Sequence, residues 1–140
     1  MIISKKSRKV VLNLKHPDRV KTIIPTAKSF VYKGTELVAV PHKMDEVQVL
    51  RNLGFKVPSP VEYAYSWSGR YTPFQAQLET TAFLTLNNRA FCLSGMGSGK
   101  TLSTLWAYDY LRETGKVRKM LVVSPLSTLE RTWADEIFTH

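Results

Sequence analysis

The sequence predicts an α/β chain in two parts, a small α+β module followed by the first, incomplete part of an open parallel-sheet lobe. Three observations carry this. Residues 8–54 alternate strand-like and helix-like patterns, with Lys33-Gly34 between two apolar runs. Residues 90–125 run in the order apolar stretch, glycine-rich loop, amphipathic stretch, apolar stretch, which is the pattern of a strand–helix–strand crossover. Charge is uneven: residues 1–60 hold twelve Lys/Arg against four Asp/Glu, a net of +8, and residues 61–140 hold eight against seven, a net of +1. The 140 residues are 44% hydrophobic and 22% charged, globular proportions that suit one medium domain or two small ones.

In the first part, Val10-Val11-Leu12-Asn13-Leu14 reads as a strand. Pro17 opens a short helix through Ile24, and Pro25 blocks its continuation. Phe30-Val31-Tyr32 and Leu37-Val38-Ala39-Val40 form a hairpin about Lys33-Gly34, where the glycine supplies the positive φ of a tight turn. Met44, Val47, Leu50 and Leu53 mark one face of a helix that covers the sheet, with Asp45 and Glu46 in its first turn, Arg51 in its last and Gly54 beyond. Lys56 to Ser59, with Pro58 and Pro60, breaks the pattern and reads as linker. The expected organisation is a module over 1–57, a linker over 58–70 and a lobe over 71–140.

Within the basic part, Lys5, Lys6, Arg8 and Lys9 cluster, and Lys15, Arg19, Lys21, Lys28 and Lys33 follow among apolar residues. Such a basic face points to nucleic acid, duplex or branched DNA, as partner; a merely solvated basic surface is the alternative. No apolar run approaches the length that crosses a bilayer, and the opening Met1-Ile2-Ile3-Ser4-Lys5-Lys6 leads into charge rather than a signal core. The expectation is a soluble, cytoplasmic, DNA-associated protein without a membrane partner. Cys92 is the single cysteine, which excludes an internal disulfide framework and a thiolate metal cluster. His16, His42 and His140 have no partner spacing and read as surface residues.

The second part is organised around Ser94-Gly95-Met96-Gly97-Ser98-Gly99-Lys100-Thr101. Alternate glycines let the backbone curl so that successive N–H groups point at an anion, while Lys100 and Thr101 supply an ammonium and a hydroxyl. Ala90-Phe91-Cys92-Leu93 before the loop reads as a buried parallel strand, and Leu102, Leu105, Trp106, Tyr110 and Leu111 after it recur at helical steps. A helix start then faces the phosphates. In this reading Gly95, Met96, Gly97, Ser98 and Gly99 cradle the phosphates of ATP, Lys100 bridges the terminal ones and Thr101 ligates magnesium. Upstream lies Arg70-Tyr71-Thr72-Pro73-Phe74-Gln75. Gln75 fits two roles: the third position of a capping box begun by Thr72, with Pro73 at the first helical position, or an amide that reads the adenine edge beneath a stacked Tyr71. The neighbouring loop favours adenine.

Gly115 stops the loop helix, and Lys119-Met120-Leu121-Val122-Val123-Ser124-Pro125 reads as a second buried strand. Ser127 with Glu130 reads as a capping box, opening a helix with the stripe Leu129, Trp133 and Ile137. Ser124, Pro125 and Thr128 then sit at the C-terminal end of a strand, where open α/β sheets bind ligands. They suit either nucleic-acid phosphate contacts or a plain strand-to-helix turn.

With these motifs in order, residues 71–140 resemble the first motifs of superfamily-two helicases, specifically the Swi/Snf-like ATPases. Pro73-Phe74-Gln75 resembles their adenine-reading Q motif, and Met96-Gly97-Ser98-Gly99-Lys100-Thr101 their phosphate loop, or Walker A motif. Leu121-Val122-Val123-Ser124-Pro125-Leu126 followed by Trp133-Ala134-Asp135-Glu136 resembles motif Ia, which in that family contacts the DNA backbone. Ser94 and Gly95 depart from the family's common Asp-Glu pair. The resemblance implies a RecA-like lobe truncated after motif Ia, with residues 1–57 as an accessory DNA-binding module. It implies an N-terminal fragment of an ATP-dependent helicase or translocase that binds ATP and magnesium without turnover, lacking the acidic motif II and the second lobe. The alternative is a stand-alone helicase-like binding protein that binds DNA or inhibits a larger helicase or nuclease complex.

Overall fold

Lys9-Val10-Val11-Leu12-Asn13 alternates in burial as it alternates in sequence, so Val10 and Leu12 turn to one side of a sheet and Lys9, Val11 and Asn13 to the other. In the computed structural model, which describes residues 1–67 and 69–139, this strand lies inside an antiparallel sheet. Its strands are β1 (Ile2–Ser4), β2 (Lys9–Asn13), β3 (Lys28–Tyr32) and β4 (Thr35–Pro41), in the spatial order β1-β2-β4-β3. The register pairs Val10 with Val40 and Leu12 with Val38, which places four buried aliphatic side chains on one face.

That face is covered by helices α1 (Pro17–Ile23) and α2 (Met44–Asn52). Val20 from the first, Ile24 just past its end, and Met44, Val47 and Leu50 from the second complete a core in which each fully buried aliphatic side chain contributes about 1.5–3 kcal/mol. Pro17 sits at the start of α1, Asp45 and Glu46 lie in the first turn of α2, and Arg51 lies in its last. Proline suits a first helical position because it has no N–H to leave unpaired and its φ is already helical, and the acidic start and basic end of α2 are the placements the peptide dipoles favour.

The chain divides into two compact units, Met1–Ala64 and Tyr65–His140. Residues 58–64, read from the sequence as linker, pack in the first unit. Val57, Ser59, Pro60 and Val61 are fully buried, Arg51 Nη1 donates to the Val57 carbonyl at 2.9 Å, and Val61–Ala64 forms a short helix, α3. Helix α2 ends at Gly54, left-handed at φ 91°, where the Phe55 N–H turns back to the Leu50 carbonyl at 3.0 Å, and buried valines then tie the extended stretch to the core. His42, expected at the surface, is also buried here. Its Nε2 lies 3.0 Å from the Pro58 carbonyl, which can only accept, so Nε2 carries the proton. His16 is exposed, and His140 lies outside the described residues.

The second unit is helical among its described residues. Helices α4 (Gln75–Leu86) and α5 (Lys100–Glu113) pack through small side chains: Thr81, Ala82, Ser103 and Ala107 are buried, and Thr81 Oγ1 donates to the Ser103 carbonyl at 3.2 Å. An aromatic group closes one end, with Tyr65 edge-on to Trp67 and Tyr110, Trp67 edge-on to Trp106, and the Tyr65 hydroxyl donating to Asp109 at 2.6 Å.

The two parallel strands expected at Ala90–Leu93 and Lys119–Pro125 do not form. Both stretches have no ladder partner among the described residues, and Phe91, Leu93, Leu121 and Val123 expose between 88% and 92% of their surface. A helix satisfies its own backbone, whereas a strand needs N–H and C=O groups from elsewhere. The capping box at Ser127 does not form either: Pro125 caps α6 (Leu126–Thr128), a π-helical turn over Leu129–Ala134 follows, and α7 (Asp135–Thr139) ends the described chain.

Candidate functional site

The glycine-rich loop meets α5 at Gly99, which caps the helix in the left-handed conformation at φ 72°. Gly97 is also left-handed, at φ 73°, so alternate residues of the loop reverse the chain as a nest of inward N–H groups requires. Gly99 has a second reason to lack a side chain, because a Cβ there would strike the Gln77 amide. Gln77 is itself buried and fixed, accepting from the Phe74 N–H through Oε1 at 3.2 Å. Helix α4 thus props the loop through one glutamine.

Lys100 folds back over the loop, where Nζ donates to the Ser94 carbonyl at 2.8 Å and to the Gly95 carbonyl at 2.7 Å. Ser98 Oγ is buried and has no hydrogen-bond partner among the described residues. An orphaned hydroxyl beside two left-handed glycines and an ammonium fits a group rich in acceptor oxygens, as a polyphosphate is. Met96 stands fully exposed at the loop tip, and Thr101 is half-buried in the first turn of α5. Among the described residues no cluster of three or more His, Cys, Asp or Glu is placed to hold a metal ion.

No family model, curated protein or solved structure matches this chain.

Of the two readings of Gln75, the capping box begun by Thr72 does not form. Phe74 is the N-cap residue, two positions later than Thr72, and Gln77 rather than Gln75 turns back on the cap. Phe74 has no side-chain acceptor, so only the glutamine half of a capping box is present. Gln75 instead lies exposed as the first residue of α4 and donates to Glu79 Oε1 at 2.7 Å. Tyr71 is exposed, with the Arg70 guanidinium 5.8 Å from its ring centroid. The signal for Gln77 was its spacing of three from Phe74, which the Thr72 assignment hid.

Ser124 and Thr128 hydrogen-bond to each other through their hydroxyls, and Thr128 Oγ1 also donates to the Pro125 carbonyl at 2.9 Å. These three residues form a closed turn at the start of α6.

In the first unit, Lys5, Lys6 and Arg8 fall in the turn between β1 and β2, and Lys9 begins β2. The strand at Ile2–Ser4 was not expected; it makes the basic cluster a hairpin tip rather than a tail. Arg8 holds φ at 48°, and its carbonyl accepts from the His42 N–H at 2.8 Å. Lys5 Nζ sits 5.1 Å from the centre of the Tyr63 ring, which in turn packs on His42. No helix among the described residues is long and apolar enough to cross a membrane.

Proposed function

We propose that the chain is the nucleotide- and DNA-engaging N-terminal part of an ATP-dependent DNA helicase or translocase of the Swi/Snf-like kind. The observation that carries this reading is the loop itself: left-handed Gly97 and Gly99, the orphaned Ser98 hydroxyl and the Lys100 ammonium gathered at the start of a 14-residue helix. These are the parts a phosphate cradle needs. In this reading ATP with magnesium is the cofactor, and when bound it supplies the free energy that drives a motor. Lys100 exchanges its two carbonyl contacts for phosphate oxygens, Thr101 takes a place on the metal, and Gln75 with Tyr71 attends the adenine. The basic first unit binds DNA, and the exposed segments around Phe91 and Leu121 take ladder partners within a RecA-like sheet.

A second reading, a stand-alone binding protein that engages DNA or a larger helicase or nuclease complex, is favoured by the same exposed segments. Apolar strand-like backbone without a ladder partner is a surface another polypeptide can pair with.

Titration calorimetry with Mg-ATP and Mg-ADP tests the cradle. The chain should bind both, and Lys100→Ala should weaken binding by roughly 10- to 100-fold, the loss of a charge-assisted phosphate contact. Equal affinity in the two proteins would remove the loop as the site. Phosphate release should stay at background with or without DNA, because no Asp-Glu-x-His sequence occurs to hold metal and water. Release above background that Lys100→Ala abolishes would overturn that part.

A further inference from the structure

The sheet of the first unit has one face under α1 and α2 and one face free of them, and the free face is chemically unusual. An antiparallel sheet with one covered face ordinarily presents polar residues on the other. Here the register brings Lys28 opposite Ala39, Phe30 opposite Leu37 and Tyr32 opposite Thr35, with Lys9 at the far end of β2 on the same side. Phe30 and Tyr32 are 41% and 58% exposed on the edge strand. They are alternate residues of one strand, so their rings project from the same face about 7 Å apart.

Charge is sorted by face. All five acidic residues of the unit lie elsewhere: Asp18 is on α1, Asp45 and Glu46 on α2, and Glu62 on α3, while Glu36 alternates with Leu37 to the helix side, 3.9 Å from Lys21. The free face therefore carries lysines and no carboxylate. At its edge the turn residue Lys33 is held at φ 48°, a conformation a lysine rarely adopts, and its ammonium lies 5.5 Å from the Tyr32 ring centre. The two-residue turn between Tyr32 and Thr35 sets that backbone, and it places the cation beside an exposed ring.

We propose that this face binds single-stranded nucleic acid, with bases stacked on Phe30 and Tyr32 and the phosphodiester strand running past Lys9, Lys28 and Lys33. A single strand is the occupant that matches both properties, since its unpaired bases offer π-faces to the rings and its phosphates offer negative charge to the lysines. A duplex hides its base faces, and the rings would then serve nothing. The inference refines the DNA reading of the first unit and stands without the nucleotide reading of the second.

The test uses the whole chain and a fluorescein-labelled oligothymidylate of about twelve nucleotides, within the range one such surface covers. Three competitors accompany it: the same length as duplex, as an abasic deoxyribose-phosphate strand, and as oligouridylate. Anisotropy titration should show the strand bound at low salt, with duplex and abasic strand competing at least about 5-fold more weakly. The double variant Phe30→Ala/Tyr32→Ala should lose about 10-fold or more, while Phe30→Tyr/Tyr32→Phe keeps binding because either ring stacks. Lys9→Gln/Lys28→Gln should lower the slope of log affinity against log salt by about 1.4, two contacts at the single-strand value. Lys15→Gln/Arg19→Gln removes equal charge from residues lining a separate cavity of ≈ 330 Å³ near Leu53 and Phe55, and should leave stacking selectivity intact. Oligouridylate binding as well as oligothymidylate marks a general single-strand surface, and weaker binding marks DNA; both support the proposal. Abasic strand or duplex binding as tightly as the oligothymidylate would overturn it and leave a charge-only DNA surface. Tighter capture of the chain by phosphatidylserine vesicles than by any strand would replace it with a membrane surface. Should the alanine pair fail to fold, the abasic competitor and the conservative pair decide alone.

Discussion

Gly99 shows how one residue serves fold and site together. Its φ of 72° is left-handed, and the space a Cβ would need is held by the Gln77 amide. Gln77 cannot yield freely, because it is buried and its Oε1 accepts the Phe74 N–H at the start of α4. Gly99→Ala should therefore destabilise the second unit by about 1–3 kcal/mol, from backbone strain plus a displaced hydrogen bond. Adding Gln77→Ala should cost less than the sum of the two single changes, since removing the amide makes room for the methyl. Urea unfolding of the four proteins checks this. Strict additivity would mean that the glutamine does not prop the loop.

At the scale of elements, what was legible follows from where each element finds its hydrogen-bond partners. The Lys33-Gly34 hairpin was readable because both strands and the turn are adjacent in sequence, and the structure pairs Phe30 with Leu37 as that reading requires. The helices at Pro17, Met44 and Lys100 were readable because start signals, apolar period and stop signals are local. The runs around Phe91 and Leu121 look equally strand-like, yet a parallel strand is made by a distant partner that no local pattern names. Residues 58–64 misled for the opposite reason, because prolines advertise a break without saying that Val57 and Val61 are anchored. For the site, the glycines and Lys100 were legible as a motif. Gln77 and the free sheet face needed the register and the true helix start. The hairpin also yields a prediction. Its two central residues have φ of 48° and 78°, the signs of a type I′ turn, for which Asn-Gly is the favoured pair. Lys33→Asn should raise the stability of the first unit by about 0.5–1 kcal/mol, read as a higher urea midpoint with an unchanged slope. No gain would show that the lysine adopts the turn without strain.

At the scale of the whole molecule, the first unit carries a pH dependence of its own. The first unit holds a buried histidine: desolvation lowers the pKa of His42 below its ordinary value of 6.5, and the hydrogen bond to the Pro58 carbonyl only partly opposes this. The folded state therefore takes up the proton at lower pH than the unfolded chain does. Between about pH 6.5 and the lower folded value the unfolded state binds more protons, so stability falls as pH falls, by at most about 1.4 kcal/mol per pH unit for one group. Above about pH 6.5 the histidine is neutral in both states and its contribution is constant. Calorimetric unfolding from about pH 7.5 to 5.5 should show the transition of the first unit shifting down. His42→Gln, whose amide can still donate to Pro58, should flatten that shift even if it lowers stability throughout. The net charge of +9 also disfavours the compact state, but that repulsion weakens with added salt while desolvation of His42 does not. A pH dependence that salt abolishes, or that His42→Gln leaves unchanged, would place its origin in surface charge rather than in the buried ring.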